Sequence, residues 1–183
     1  ILITGGAGAV GFYATSLASW GGARVLCTVS GDQKAKRALL AGAENVINYK
    51  KEDVAERVDA YTKGKGVDRL ITVDFGGDLP WMTSIMRQNS CVSAYASDSE
   101  KMPTLDFFSF MRKNIQIRPF ILNSLPPKEL NNARLGISRW LIDKPNSIRP
   151  IAKKFSLENI IKAHELVESS IKFGTVIVNP KTS

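Results

Sequence analysis

Three glycines near the start of the chain have the spacing of a phosphate-binding turn. Gly6, Gly8 and Gly11 lie in the segment ILITGGAGAVG and form the pattern G-x-G-x-x-G. We expect Gly6 to permit a tight turn out of a strand, Gly8 to let backbone approach a pyrophosphate, and Gly11 to let a helix pack closely on the sheet. The free N–H groups and the dipole of that helix favour a bound anion. A strand–helix turn without a ligand is the alternative, because three glycines suit any tight turn.

The elements around these glycines are those of a βαβ unit. Apolar β-forming residues precede the turn, a helix of small residues follows over 9–20, and the run RVLCTV at 24–29 predicts a second strand. Strands are also expected at 46–47, 70–73 and 90–95, separated by helices at 33–41, 52–62 and 81–86. Asp78-Leu79-Pro80 is expected to start the last of these helices, with Asp78 as its cap. This rhythm predicts an α/β fold, a doubly wound parallel sheet of the Rossmann type with helices on both faces.

The pattern changes beyond residue 95. A last strand is expected over 115–122, where Pro119 marks an edge or a strand end. A helix should follow from Pro126-Pro127 to about residue 142, with an apolar stripe on one side. The tail predicts a strand at 148–151, a helix at 157–168 and a strand at 175–178.

Composition excludes several classes of protein. The net charge of +8 comes from scattered Lys and Arg without a zinc-finger, RRM or basic-helix pattern, so a solvated basic surface is favoured over nucleic-acid binding. Because apolar runs stay far below the ~18–20 residues of a membrane span, we expect no membrane association. Cys27 and Cys91 lie in apolar, strand-like runs, which indicates packed thiols in a reducing, cytoplasmic compartment.

The end of the second strand can choose between a 2′-hydroxyl and a 2′-phosphate on a dinucleotide. An acid there holds the hydroxyl of NAD, whereas Ser30 and Lys34 can bind the phosphate of NADP by charge-assisted hydrogen bonds. Lys36 adds a second cation nearby. Asp32 would be the NAD-binding acid in a shifted register, but its position also suits a helix N-cap. The residues favour NADP and leave NAD as the alternative.

A resemblance to a known family rests on four segments. ILITGGAGAVG, TVSGDQKAKRALLAGAENVINYKKED and VDRLITVDFGG together resemble the cofactor domain of the medium-chain dehydrogenase/reductase superfamily. More narrowly they resemble its zinc-independent NADPH:quinone oxidoreductase (zeta-crystallin-like) branch. The tail FSLENIIKAHELVESSIKFGTVIV is similar to the return segment of that branch, so the resemblance covers essentially the whole chain.

The resemblance implies roles for particular residues. The pyrophosphate turn of the family falls on Gly8, Ala9, Val10 and Gly11, and its 2′-phosphate binders fall on Ser30, Lys34 and Tyr49. Tyr49 has an alternative as an ordinary aromatic at a strand end. The cofactor-facing strand ends fall on Phe75-Gly76 and Tyr95-Ala96, and a backbone contact on the nicotinamide side falls near 120–122.

The resemblance also implies a domain organisation. Residues 1–147 would be the NADP-binding domain, and 148–183 a carboxy-terminal return segment that packs on a catalytic domain. Since the amino-terminal GroES-like domain of the family is missing, we expect this chain to be a fragment that binds cofactor but turns over poorly. The full-length form is expected to dimerise through the sheet edge at 115–122. The sequence departs from the family at Ala96-Ser97, where a glycine is usual, and at Phe173-Gly174-Thr175, where Gly-Lys is usual.

No acid–base catalyst is readable in the sequence. His164 lies on an apolar helical stripe and is expected to be a packed histidine, and neither a Ser/His/Asp set nor Cys/His metal-ligand spacing is present. This agrees with an oxidoreductase in which the cofactor carries the chemistry. The resemblance implies hydride transfer from NADPH to a quinone or conjugated carbonyl without zinc. An enoyl thioester or enone reductase and a non-catalytic NADPH-sensing protein are the alternatives.

Overall fold

A computed structural model describes residues 1–146, 149–169 and 174–180 of the chain. The chain forms two compact units, Ile1–Asp143 and Lys144–Ser183. None of the described helices is long and apolar enough to cross a lipid bilayer.

The first unit is built on six parallel strands. They are β1 (Leu2–Ile3), β2 (Leu26–Val29), β3 (Asn45–Asn48), β4 (Val67–Thr72), β5 (Met86–Ala94) and β6 (Gln116–Pro119). Their order in the sheet is β3-β2-β1-β4-β5-β6, and every pairing is parallel. The order reverses between β1 and β4, which is the switch point at which doubly wound sheets bind ligands. The predicted fold class is confirmed.

Six helices connect and cover these strands. They are α1 (Ala9–Trp20), α2 (Asp32–Leu40), α3 (Val54–Thr62), α4 (Phe75–Ile85), α5 (Phe107–Arg112) and α6 (Pro127–Asp143). Successive residues of a strand point to opposite faces, and Leu2 and Ile3 accordingly belong to two different apolar clusters. The cluster with Leu2 includes residues of α3, α4 and α5, and the cluster with Ile3 includes Ala38 of α2. The sheet is therefore covered on both faces.

Two predicted helix starts are wrong. Asp32 is the first residue of α2 and makes no capping bond, because Gly31 precedes the helix instead. The helix expected to begin at 78–80 is α4, which already begins at Phe75 and contains Pro80 in its interior. The carboxylate of Asp78 does not cap a helix, since it accepts a hydrogen bond from the Thr72 hydroxyl at 2.6 Å.

The second unit is a small sheet with one helix. Strands β7 (Ile151–Ser156) and β8 (Thr175–Asn179) pair in parallel, and a 3-10 turn over Leu157–Asn159 leads into α7 (Ile160–Glu168). The strand predicted at 148–151 begins instead at Ile151; Ile148 and Phe173 lie outside the described residues. The expectation of a packed His164 is wrong for the described chain, since this side chain is exposed and only Ala163 of α7 is buried.

Lys113 closes the carboxyl end of α4. Its Nζ donates to the carbonyl oxygens of Thr83 at 2.5 Å and Met86 at 2.9 Å. Lys113→Met should lower the free energy of unfolding by about 1–2 kcal/mol, because charge-assisted bonds to a helix end are lost. Urea unfolding measures this loss. Lys101→Met, at an exposed loop position, is the control, and an equal loss in both variants would contradict the prediction.

Candidate functional site

The residues predicted to form a site all follow the carboxyl ends of strands. The glycine turn follows β1, Ser30 follows β2, Tyr49 follows β3, Phe75 comes three residues after β4, and Tyr95 follows β5. Because all these strands are parallel, their carboxyl ends lie along one edge of the sheet. The predicted residues are therefore brought to the same edge, on both sides of the switch point.

The glycine turn uses an additional glycine that the motif does not contain. Gly5 has a φ of +64°, which only glycine adopts readily, so Gly5 and not Gly6 makes the tight turn. Gly6 is required for another reason, since a Cβ there would lie 2.4 Å from the Cys27 sulfur. A Cβ on Gly11 would lie 2.2 Å from the Gly5 carbonyl oxygen, so Gly11 has the close packing expected of it.

The amino end of α1 is open to solvent. Gly8 is its N-cap residue with an extended backbone, and it makes no side-chain capping bond. Gly8, Ala9 and Val10 are exposed, and the first turn of α1 carries no acidic residue. The N–H groups of this turn and the helix dipole can therefore receive an anion.

The amino end of α4 is closed, although it also lies beside the switch point. The N–H of Phe75 donates to the Ala96 carbonyl at 2.9 Å, and the N–H of Gly76 donates to the Ser97 hydroxyl at 3.0 Å. The N–H of Ser99 in turn donates to the Asp74 carboxylate. Of these two helix ends, α1 is the one that can hold a phosphate.

A basic pair lies at the end of β2. The Nζ of Lys34 donates to the Ser30 hydroxyl at 2.8 Å, and both side chains are half-buried. Asp32, the alternative acid, is exposed. The backbone N–H of Tyr49 donates to the Val29 carbonyl at 3.1 Å, which ties the Tyr49 strand end to the residue before Ser30. The Tyr49 ring is about half exposed (51%).

A cavity of about 490 Å³ lies at the switch point, and we call it the switch-point cavity. Gly5, Thr28, Tyr49, Asp74 and Asp78 are among its lining residues. Its most buried acid is Asp78, which accepts hydrogen bonds from the hydroxyls of Thr72 and Thr4. Burial raises the pKa of Asp78 to about 6 despite these two bonds. Sequence reasoning missed Asp78, because its spacing before Pro80 is typical of a helix cap.

Asp78 makes the stability of the fold depend on pH. Its pKa is raised above the 3.8 of an ordinary Asp, so its contribution to the free energy of unfolding is present below about pH 4 and is lost as the pH rises through about 6. Asp78→Asn removes this titration. The free energy of unfolding of the variant, taken relative to that of the unmodified chain, should rise by about 2 kcal/mol between pH 4.5 and pH 7.5. Urea unfolding at the two pH values measures this change. An equal difference at both pH values would contradict the assignment.

A second cavity, of about 510 Å³, lies at the ends of β5 and β6, and we call it the aromatic cavity. Phe75, Tyr95, Ser97, Phe120 and Ile121 are among its lining residues, and the rings of Tyr95 and Phe120 are 6.4 Å apart. The structure thus brings Phe75 and Tyr95 together with Phe120 and Ile121, the first two residues of the segment at 120–122. A cavity of about 690 Å³ near the opposite edge of the sheet contains none of the predicted site residues.

This geometry is that of a dinucleotide-binding domain, and comparison with known proteins identifies the family. The profile of the zinc-binding dehydrogenase family matches residues 9–135. The chain is 43% identical over 189 residues to a 2-haloacrylate reductase of a Burkholderia species, covering 99% of this chain and 55% of the relative. It is 28% identical over 182 residues to a quinone oxidoreductase of Salmonella typhimurium, covering 95% and 54%.

Among solved structures, the chain is similar to the Escherichia coli quinone oxidoreductase complexed with NADPH. The TM-score is 0.77 at 25% identity, with 96% of this chain and 56% of that chain covered. The chain therefore spans about half the length of the relatives it matches. It belongs to the zinc-binding dehydrogenase family, and the predicted place in the quinone oxidoreductase branch of the medium-chain dehydrogenase/reductase superfamily is confirmed.

Proposed function

We propose that this chain is the NADPH-binding part of an oxidoreductase that reduces a quinone or a conjugated carbonyl compound. The observation that carries the proposal is that two features occur together: the amino end of α1 is open, and Lys34 donates a hydrogen bond to Ser30 at the end of β2. The first suits a pyrophosphate and the second a 2′-phosphate. Relatives with quinone oxidoreductase activity in their names, and one solved in complex with NADPH, support the same cofactor.

The residues at the strand ends fit this cofactor. Gly8, Ala9, Val10 and Gly11 would receive the pyrophosphate, since Gly8 to Val10 are exposed and Gly11 keeps the helix close to the turn. Ser30, Lys34 and Tyr49 would hold the 2′-phosphate. Phe75 and Tyr95 would supply an apolar wall for the nicotinamide end, because both line the aromatic cavity.

The chemistry that NADPH supplies when bound is a hydride from C4 of its nicotinamide ring. The residues of this chain bind and orient the cofactor and keep water from the ring. We assign no acid–base catalyst to the chain and no zinc to the reaction, in keeping with the zinc-independent branch that the sequence resembles. A homodimer through the edge strand β6 stays a prediction.

The acceptor class has two candidates with shared chemistry. Quinones are supported by the names of several relatives, and 2-haloacrylates by the relative at 43% identity. Both contain an electron-poor double bond conjugated to a carbonyl group. The aromatic cavity, with its Tyr95 and Phe120 rings, suits a flat acceptor of this kind.

Calorimetric titration with NADPH and with 2′,5′-ADP tests the cofactor site. We expect NADPH to bind with a Kd on the order of 1–10 μM. We expect 2′,5′-ADP, which is a part of NADPH, to compete for the same site. The absence of binding up to about 1 mM would contradict the proposal. Consumption of NADPH by the full-length protein with a benzoquinone, 2-chloroacrylate or crotonyl thioester then separates the acceptors. Full-length protein that binds NADPH but reduces none of them would instead be a non-catalytic NADPH sensor.

A further inference from the structure

The turn that carries Tyr49 is fixed by Glu52, three residues further on. The Oε2 atom of Glu52 accepts a hydrogen bond from the Asn48 N–H at 2.7 Å, and the Glu52 N–H donates to the Asn48 carbonyl at 2.9 Å. The N–H groups of Lys50 and Lys51 also donate to Asn48, at 3.2 and 2.8 Å. These bonds give the turn over 48–52 one defined backbone shape.

Strand pairing also fixes the position of this turn relative to Ser30 and Lys34 at the end of β2. Val29 pairs with Asn48 in the sheet, and the Tyr49 N–H continues the ladder by donating to the Val29 carbonyl. Ser30 comes next in the chain and accepts from Lys34. A shift of the 48–52 turn would therefore move Tyr49 relative to the Ser30–Lys34 pair.

Arg57 neutralises the carboxylate that fixes the turn. Its Nη1 lies 2.7 Å from the Oε1 of Glu52, with 42% and 30% of the two side chains exposed. One oxygen of Glu52 is thus engaged by Arg57 and the other by the Asn48 N–H. Glu52 lines the switch-point cavity, where a free carboxylate would repel a phosphate or accept a hydrogen bond from a ribose hydroxyl. Both of its oxygens are already engaged.

We propose that Glu52 and Arg57 are positioning residues for the choice between NADPH and NADH. Glu52 holds the turn that presents Tyr49, and Arg57 cancels the charge of Glu52, so that the pair favours a 2′-phosphate over a 2′-hydroxyl. This inference rests on the proposed function of the chain. A surface ion pair of this exposure contributes little to stability, so the effect should appear in cofactor selectivity.

Arg57→Met tests the inference, because it leaves Glu52 charged and without its cation. The affinity for NADPH should fall by about threefold to tenfold, while that for NADH stays within about twofold. The double variant Glu52→Gln/Arg57→Met should recover the NADPH affinity to within about twofold of the unmodified chain. The glutamine is neutral, and its amide oxygen still accepts from Asn48.

A matched control lies at the opposite edge of the sheet. Arg87 pairs with Asp68 at the same 2.7 Å, and Arg87→Met should leave both affinities unchanged. Calorimetry gives the two affinities, and thermal unfolding verifies that each variant is folded. Equal loss of NADPH and NADH binding in Arg57→Met, unchanged NADPH binding, or no recovery in the double variant would each overturn the inference.

Failure of this inference is distinguishable from failure of the proposed function. An unmodified chain that binds NADPH no better than NADH would overturn the 2′-phosphate site itself. Suppose instead that Lys34→Ala abolishes the preference for NADPH and Arg57→Met leaves it unchanged. This result would overturn only the positioning role of Glu52 and Arg57.

Discussion

Gly11→Ala is expected to destabilise the folded chain by about 3 kcal/mol or more. The added Cβ would lie 2.2 Å from the Gly5 carbonyl oxygen and 2.9 Å from the Gly6 Cα. Both atoms are backbone, so no side chain can rotate to make room. The helix propensity that alanine adds is only about 1 kcal/mol and cannot offset such a contact. Urea unfolding measures the loss, and a chain that fails to fold agrees with the prediction.

Gly136 provides the matched control for this prediction. It also lies inside a helix, α6, but nothing lies within 4 Å of a Cβ built on it. Gly136→Ala should therefore stabilise the chain by about 0.5–1 kcal/mol. Equal effects at the two glycines would show that the contact of α1 with the Gly5 turn is not required.

Lys34→Ala is expected to weaken NADPH binding by about 10- to 100-fold while leaving NADH binding within about twofold. The Nζ of Lys34 reaches the Ser30 hydroxyl at 2.8 Å, so its charge lies at the end of β2, where a 2′-phosphate is read in this fold. NADH lacks that phosphate and gains nothing from the cation. Two calorimetric titrations at one fixed salt concentration measure the change, since screening by salt weakens the charge contribution.

Lys36→Ala controls for the loss of a positive charge on the same helix. Lys36 is exposed on α2, two residues from Lys34 and so on another side of the helix. Its removal should change NADPH affinity by less than about threefold. A parallel fall of NADPH and NADH affinity in Lys34→Ala, or an equal effect in Lys36→Ala, would contradict the 2′-phosphate site.

Much of the fold follows from local signals in the sequence. Helix α1 runs from Ala9 to Trp20 as predicted, because a glycine turn opens it and Gly21-Gly22 ends it. The strand–helix rhythm was sufficient to predict a doubly wound parallel sheet, since each element carries its own apolar pattern. Strand bounds were less predictable: β5 begins at Met86, four residues before the predicted start, because pairing with β4 decides where it begins.

Contacts between distant residues explain where prediction failed. Asp78 looks like a helix cap in sequence, but its partners are hydroxyls at the ends of β4 and β1. The turn role assigned to Gly6 belongs to Gly5, because only the folded backbone reveals which glycine has a positive φ. The apolar stripe around His164 predicts a buried helix face, yet in the described chain most of its residues are exposed.

The candidate site was predictable where neighbours in sequence are neighbours in space. Ser30 lies two residues before α2, and Lys34 lies in the first turn of that helix. Because they are only four residues apart in the sequence, their side chains meet. The sequence does not distinguish the open amino end of α1 from the closed amino end of α4, because the residues that close α4 are distant in the chain. Ser97, which closes α4 together with Ala96, lies 21 residues from its partner Gly76.

Amide mapping by NMR with two cofactors tests the central claim most directly. In assigned spectra of the unmodified chain, both NADPH and NADH should shift the amide signals of the α1 turn, Gly8 to Gly11. Signals that differ between the two cofactors should belong to Ser30, Lys34 and Tyr49. Unshifted Gly8–Gly11 amides, or differences located away from the ends of β2 and β3, would contradict an NADPH site built on these residues.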